Sequence, residues 1–121
     1  MEVVLHFSDL LVQSEGERLI ADWLADHQIT FRYDERYRIL SGYAVRPDFY
    51  LPELDLYIEY WGMDTADYKI GMLKKQQLYQ QRGKRLISLF PADRPRLDRV
   101  LRTKLALFGY HTPTRGVGER Q

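Results

Sequence analysis

Arg46-Pro47-Asp48-Phe49-Tyr50-Leu51-Pro52-Glu53-Leu54-Asp55-Leu56-Tyr57-Ile58-Glu59-Tyr60-Trp61-Gly62 is the stretch that decides the fold of this chain. Its two apolar arms, Tyr43 to Leu51 and Leu56 to Trp61, are separated by Pro52-Glu53-Leu54-Asp55. Four residues is hairpin length, and a proline there bars further pairing, so the arms are expected to pair antiparallel. If Leu51 faces Leu56, then Tyr50 faces Tyr57, Phe49 faces Ile58, and Asp48 faces Glu59. Directly opposed strand residues have Cβ atoms about 4.5 to 5.5 Å apart. Two ionised carboxylates at that spacing repel, which raises a pKa or calls for a cation between them. Magnesium is commonly held by one or two carboxylates, with waters and phosphate oxygens completing its shell. The plainer alternative is a solvated strand face bearing two acids by chance. Against it stand Phe49, Tyr50, Tyr57, Ile58 and Trp61, which make this the most apolar hairpin of the chain.

Downstream, Asp64 or Thr65 can cap a helix that reaches Arg82 and stops at Gly83. At about 100° per residue, Tyr68, Met72, Lys75 and Tyr79 fall within about 60° of one another, so Lys75 interrupts an apolar, aromatic stripe. A buried ammonium must either snorkel outward or meet a carboxylate. In a phosphodiester hydrolase such a lysine can orient water or stabilise charge on phosphate. A second stripe, Ala66, Ile70, Leu73 and Gln77, lies opposite, and periodicity alone leaves open which one meets the sheet. Lys74 is read as a solvated or phosphate-facing charge. Arg85 to Phe90 is a short apolar strand. Asp93, with Pro95 near the first helical position, opens a last helix to about Phe108, basic through Arg96, Arg99, Arg102 and Lys104.

Upstream, Val3 to Phe7 reads as a strand, and Ser14 with Glu17 has capping-box spacing at the start of a helix from about Glu15 to His27. Ile29 to Tyr33 and Tyr37 to Leu40 read as strand, bent in the middle and followed by the Ser41-Gly42 turn. The expected order is therefore β-α-β-β-β-α-β-α, a mixed α/β layer fold occupying residues 1–110 as a single domain. Residues 111–121, broken by Pro113, Gly116 and Gly118, are expected to form a disordered tail.

The 121 residues are 45% hydrophobic, enough for a core, and contain no cysteine, which removes disulfide, thiolate-metal and cysteine-nucleophile chemistry. Cysteine-free composition suits a reducing cytoplasm. No apolar run approaches the roughly 20 residues of a membrane span, and the acidic amino terminus is unlike a signal peptide. A net charge of +1 conceals a division: residues 1–66 carry 13 acids and 5 bases, residues 67–121 carry 4 acids and 13 bases. Such a split suits a protein that gathers carboxylates at one place and offers Lys and Arg to a polyanion at another, or simply two solvated faces that cancel. No glycine-rich nucleotide loop or G-x-S-x-G elbow is present, and His6, His27 and His111 show no metal-ligand spacing.

Four stretches together resemble the PD-(D/E)XK (restriction-endonuclease-like) nuclease superfamily, and within it the small nuclease-like domains associated with superfamily 1 DNA helicases. Ser14-Glu15-Gly16-Glu17-Arg18-Leu19-Ile20-Ala21 is similar to the S-x-x-E helix start, and Arg46-Pro47-Asp48-Phe49 to the P-D motif. Ile58-Glu59-Tyr60-Trp61-Gly62 is similar to the strand of the second acid, and Tyr68 to Tyr79 to the Y, K, Y helix of this subgroup. The match spans about Val3 to Phe90. One position departs: the usual E-x-K lysine would stand at Trp61, and Lys75 sits where the subgroup's replacement from the next helix would fall. If Lys75 cannot reach the acids, the fold is degenerate and its catalysis in doubt.

The resemblance implies a restriction-endonuclease-like core and Mg²⁺-dependent hydrolysis of DNA phosphodiesters, with Mn²⁺ able to substitute. Asp48, Glu59, the Tyr60 backbone carbonyl and Glu17 would hold metal, and Lys75 would position the attacking water. Lys74, Lys84, Arg85, Arg96 and Arg99, with Arg94, would track the DNA backbone. Tyr33, Tyr37 and Tyr43 either stack unpaired bases or pack in the core. DNA is the implied partner, a homodimer and a helicase are further partners it brings in, and the implied location is cytoplasmic and nucleoid-associated, with a role in DNA repair. Two other functions stay open: a catalytically inactive nuclease-fold DNA-binding module, and a structural or protein-interaction domain.

Overall fold

A computed structural model of the chain describes residues 2–3, 14–35, 37–40 and 43–113. Among the described residues, seven strands and three helices follow one another: β1 (Glu2–Val3), α1 (Glu15–Asp26), β2 (Phe31–Tyr33), β3 (Tyr37–Leu40), β4 (Tyr43–Val45), β5 (Phe49–Leu51), β6 (Leu56–Tyr60), α2 (Ala66–Gln81), β7 (Arg85–Leu89), and α3 (Leu97–Leu107) after a 3-10 turn at Pro91–Arg96. The fold is mixed α/β. One five-stranded sheet runs in the order β1-β2-β5-β6-β7, and β3 with β4 forms a separate two-stranded ribbon. All sheet pairs are antiparallel except β6 with β7, which α2 joins as a parallel crossover.

The hairpin has the expected register: Phe49 opposes Ile58, Tyr50 opposes Tyr57 and Leu51 opposes Leu56. Two other expectations need correction. The arm from Tyr43 to Leu51 is not one strand, because Arg46-Pro47-Asp48 breaks it into β4 and β5. Pro47 has no N–H to give a ladder, and Asp48 uses its side chain, not a strand pairing, to meet β6. The segment from Ile29 to Leu40 is likewise split. Asp34, at φ 55°, turns the chain out of β2 while its N–H donates to the Asp48 carbonyl at 3.0 Å. Five strands therefore lie between α1 and α2 where three were expected.

Ser14 caps α1 by accepting from the Glu17 N–H at 3.2 Å. Thr65 does the same for Tyr68 in α2, and Gly83 takes up the left-handed φ of 67° that ends it. The last helix starts later than expected. Asp93 turns back to accept the Phe90 N–H at 2.8 Å, which holds residues 91–96 as a 3-10 turn before α3 begins at Leu97. Residues 4–7 of the expected first strand and residues 114–121 of the expected tail lie outside the described residues. Residues 111–113 are tied down, since Arg102 donates to the Thr112 hydroxyl at 2.7 Å and the Pro113 carbonyl at 3.0 Å.

The sheet lies between two helical layers. Leu56, Ile58 and Tyr60 of β6 join Phe31, Phe49, Leu51, Ile87 and Leu89 in a core with Ile20, Leu24, Leu101 and Leu105 of α1 and α3. Each fully buried Leu, Ile or Phe there contributes roughly 1.5–3 kcal/mol. Strand side chains alternate, so Tyr57 and Glu59 point to the other face, where Tyr57 packs on Tyr79 of α2 with ring centroids 5.1 Å apart. All five β6 residues are consequently buried. The stripe of α2 that meets the sheet is Tyr68, Met72, Lys75 and Tyr79; on the other, Ile70 and Leu73 are 52% and 59% exposed. Among the described residues, no helix is long and apolar enough to cross a membrane.

Candidate functional site

The break that Pro47 imposes sets the site. Freed from the ladder, Asp48 turns its carboxylate so that Oδ2 accepts the Tyr60 N–H at 2.6 Å. Asp48 therefore lies at the end of the paired register, just beyond the Phe49–Ile58 pair, where the hairpin opens. The N–H and C=O of one strand residue leave on the same side, so the Tyr60 carbonyl opens on this edge too. Glu59 is 2% exposed and points into the α2 face. Its Oε2 accepts from the Tyr79 hydroxyl at 2.7 Å and faces Lys75 Nζ at 2.8 Å. Lys75 also donates to the Arg46 carbonyl at 3.0 Å, which ties α2 to the strand break as well as to the acid.

Glu17 comes from the first turn of α1. The capping box is only half formed: Ser14 takes the Glu17 N–H, while the Glu17 carboxylate accepts from the Tyr33 hydroxyl at 2.5 Å and does not return to the cap. Tyr33 in turn packs on Phe49, ring centroids 5.3 Å apart, so its part is packing and orienting Glu17. The side chains of Tyr37 and Tyr43 lie outside the described residues. Gly16 allows the close approach of α1 to the sheet, because a Cβ there would overlap the Tyr60 ring. A single cleft of about 480 Å³ gathers Glu17, Asp48, Glu59, Tyr60, Trp61, Asp67, Tyr68, Gly71, Met72 and Lys75.

The electrostatics of this cleft are those of acids short of counter-charge. Burial, reinforced by the neighbouring charge of Glu59, pushes the Asp48 carboxyl up to about 8. Burial also raises Glu59, opposed by the charge and hydrogen bond of Lys75 and by the Tyr79 hydroxyl. Tyr79, buried and beside Glu59, is pushed far above the ordinary phenol range and stays a proton donor. Each acid commits at least one oxygen to the protein. Among the described residues no hydrogen bond reaches Asp48 Oδ1, while the Asp48 backbone N–H adds a further hydrogen bond that favours the ionised form of Glu59. The described acids do not close into a cage of three or more ligating side chains. Two carboxylates and a carbonyl on one edge are nevertheless the donor set that suits Mg²⁺, which draws its other ligands from water and phosphate.

The cationic residues are divided among different places. Lys74 is exposed on α2, and Arg96 and Arg99 are exposed at the start of α3. Lys84 and Arg85 belong to the far end of the sheet: Arg85 pairs with Leu56, four residues or roughly 13 Å along β6 from Tyr60. Arg85 is also engaged internally, donating to the Leu54 carbonyl and lying 5.6 Å from the Phe108 ring centre. Arg94, by contrast, lines a second cavity of about 480 Å³ that shares Glu17, Tyr60 and Tyr68 with the acidic cleft.

Several neighbours escaped the sequence. Asp67 reads as an ordinary acid in a first helical turn, and the Arg46 carbonyl carries no side-chain signal at all. Trp61, expected as an apolar hairpin residue standing where the E-x-K lysine would be, is 5% exposed; its indole N–H has no partner among the described residues, and Lys75 Nζ sits 5.9 Å from its ring centre. The chain matches no protein-family model, no curated protein and no solved structure.

Proposed function

We propose that this chain is a Mg²⁺-dependent deoxyribonuclease built on a restriction-endonuclease-like core, with α1, the β5–β6 hairpin, α2 and β7 as its frame. The observation that carries the reading is the meeting of Glu17, Asp48, Glu59 and Lys75, from four separate segments, around one cleft. Asp48, Glu59, the Tyr60 carbonyl and Glu17 are the groups that would hold the ion. A bound Mg²⁺ would supply positive charge to the phosphoryl oxygens and lower the pKa of the attacking water.

The chain's own residues do the rest. Lys75, fixed between Glu59 and the Arg46 carbonyl, offers its one remaining N–H donor to the phosphate or to the water that attacks phosphorus. As that oxygen bonds to phosphorus, the ester P–O bond breaks and the leaving oxygen takes up a proton. Tyr79 and Tyr33 hold Glu59 and Glu17 in orientation through their hydroxyls. Lys75 thus stands for the E-x-K lysine whose place Trp61 occupies. DNA is the proposed partner, with Arg94, Arg96, Arg99 and Lys74 as the exposed cations available to its backbone.

A second reading has one observation in its favour. Lys75 already neutralises Glu59, and a site at rest in this way also suits a nuclease fold that binds DNA without cutting it. Cleavage of end-labelled single-stranded, duplex and flapped DNA with Mg²⁺, Mn²⁺ or EDTA separates the two. Metal-dependent cutting abolished by Asp48→Ala and by Lys75→Ala is expected; DNA binding with no cutting, unaffected by either substitution, selects the inactive module.

A further inference from the structure

Beside the acidic cleft, between the start of α2 and the turn after β7, lies a third cavity of about 570 Å³. Its walls are of another kind: Trp61, Met63, Met72, Phe90 and Pro91 are apolar or aromatic, and Lys69 stands among them. Trp61 and Met72 line this cavity and the acidic cleft together; Gly62, Met63 and Pro91 line it together with the Arg94 cavity. The three spaces are thus one continuous surface, acidic in one part, largely apolar in the next, and mixed in the third, where Arg94 stands with Glu15 and Glu17.

Two features of the apolar cavity ask for a ligand. Met63 and Phe90 are 59% and 39% exposed, an unfavourable arrangement that covering by a flat apolar group would relieve. Trp61 is 95% removed from solvent, yet its indole N–H, a donor only, has no acceptor among the described residues. An unpaired buried donor is costly, and a turn of the sealed indole towards the cavity would bring it to a carbonyl or ring-nitrogen acceptor of a ligand. The volume falls within the roughly 300–1,000 Å³ of small-ligand clefts.

We infer that this cavity receives one unpaired nucleobase of the substrate strand, stacked on Phe90 and Met63, while the adjoining phosphate lies in the acidic cleft. The inference rests on the nuclease reading and deepens it by naming the substrate class: single-stranded or frayed DNA. A base inside an intact duplex has no free face to stack and cannot enter. The ion pair of Lys69 with Asp64, at 2.9 Å, stands at the exposed rim where the sugar-phosphate chain would pass.

The test is a scan of single-stranded oligodeoxynucleotides in which one abasic residue is moved through the sequence, with binding followed by anisotropy in Ca²⁺ and cleavage in Mg²⁺. A base pocket predicts one position at which loss of the base weakens binding by roughly 5- to 150-fold, the range of a single base–aromatic stack. Phe90→Ala, outside the core clusters and with its fold checked by a melting curve, should erase that position-specific loss. Trp61→Phe keeps the ring, removes the donor, and should flatten any preference for bases with an acceptor there. A flat scan, or equal binding of blunt duplex, in a protein that does bind and cut DNA overturns the pocket and leaves the nuclease standing. Failure to bind or cut DNA of any form overturns both.

Discussion

Lys75 Nζ lies 2.8 Å from Glu59 Oε2, so an ammonium on α2 neutralises an acid that is 2% exposed in the middle of the sheet. Removing one partner leaves the other charge buried, which for a closed pair costs about 3–5 kcal/mol. Lys75 keeps 28% of its side chain in solvent, so screening reduces the loss from Lys75→Met to about 1–3 kcal/mol. The loss should be larger at pH 8 than at pH 5, where Glu59 can take up a proton. Urea denaturation at both pH values measures it, and Glu59→Gln added to Lys75→Met should return part of the stability. In the nuclease assay Lys75→Met should lower cutting by about 100-fold or more.

The Asp48 carboxyl, held up to about 8 by burial and by Glu59, makes the metal-free fold sensitive to pH in an unusual direction. Well below the ordinary value of 3.8, the group is protonated in folded and unfolded chains alike, and the fold carries no penalty. As pH rises from there towards 8, the unfolded chain ionises while the folded chain holds its proton. Stability then falls, by at most about 1.4 kcal/mol per pH unit, and levels off above the folded value. Asp48→Asn should flatten this slope. A divalent cation favours the ionised acid and displaces the proton. The rise in melting temperature on adding Mg²⁺ should therefore be greater at pH 8 than at pH 5.5, and an equal rise at both would contradict the assignment of Asp48 as a ligand.

How much of this could be read from the chain depended on whether the signal was local. The hairpin register followed from the four-residue connection and two apolar runs, because a turn of fixed length aligns the strands that it joins. The caps Ser14 and Thr65 and the stop at Gly83 are also one-residue rules. The register expected to set Asp48 opposite Glu59 ends one pair short, at Phe49 and Ile58, and Asp48 meets β6 instead through its side chain at the Tyr60 N–H, after the break at Pro47. The ribbon of β3 and β4 was missed because Asp34 leaves the strand through a left-handed conformation that an aspartate only sometimes adopts. Which stripe of α2 faces the sheet could not be decided by periodicity, since both stripes are apolar. Tyr57, on the far strand, decides it by packing on Tyr79.

Gly16 supports the site without touching its chemistry. Its missing side chain leaves room for the Tyr60 ring, and thereby brings α1 close enough for Glu17 to reach the cleft. Gly16→Ala should displace the ring and cost about 1–3 kcal/mol, as overpacking of a filled core does. Tyr60→Leu in the same chain restores room, so the double variant should lose less than the two single changes added together, a coupling that a thermodynamic cycle in urea reads directly. Because the displacement would move the first turn of α1, Gly16→Ala should also weaken Mg²⁺ binding measured by calorimetry; unchanged affinity would separate Glu17 from the ion.

The arginines at the two ends of β7 should respond differently. Arg94 lines the cavity that continues the acidic cleft and is exposed, whereas Arg85 is engaged with the Leu54 carbonyl and the Phe108 ring at the opposite end of the sheet. If Arg94 meets a phosphate of single-stranded DNA, Arg94→Ala should weaken binding and reduce the slope of log affinity against log salt by about 0.7, with the melting temperature unchanged. Arg85→Ala should do the reverse, lowering stability by about 1 kcal/mol through the lost carbonyl bond and cation–π contact while leaving the salt slope alone. Salt titrations of binding for both variants, run beside their melting curves, decide the matter. A reduced slope in Arg85→Ala with none in Arg94→Ala would move the path of the nucleic acid to the other end of the sheet, away from Asp48 and Glu59.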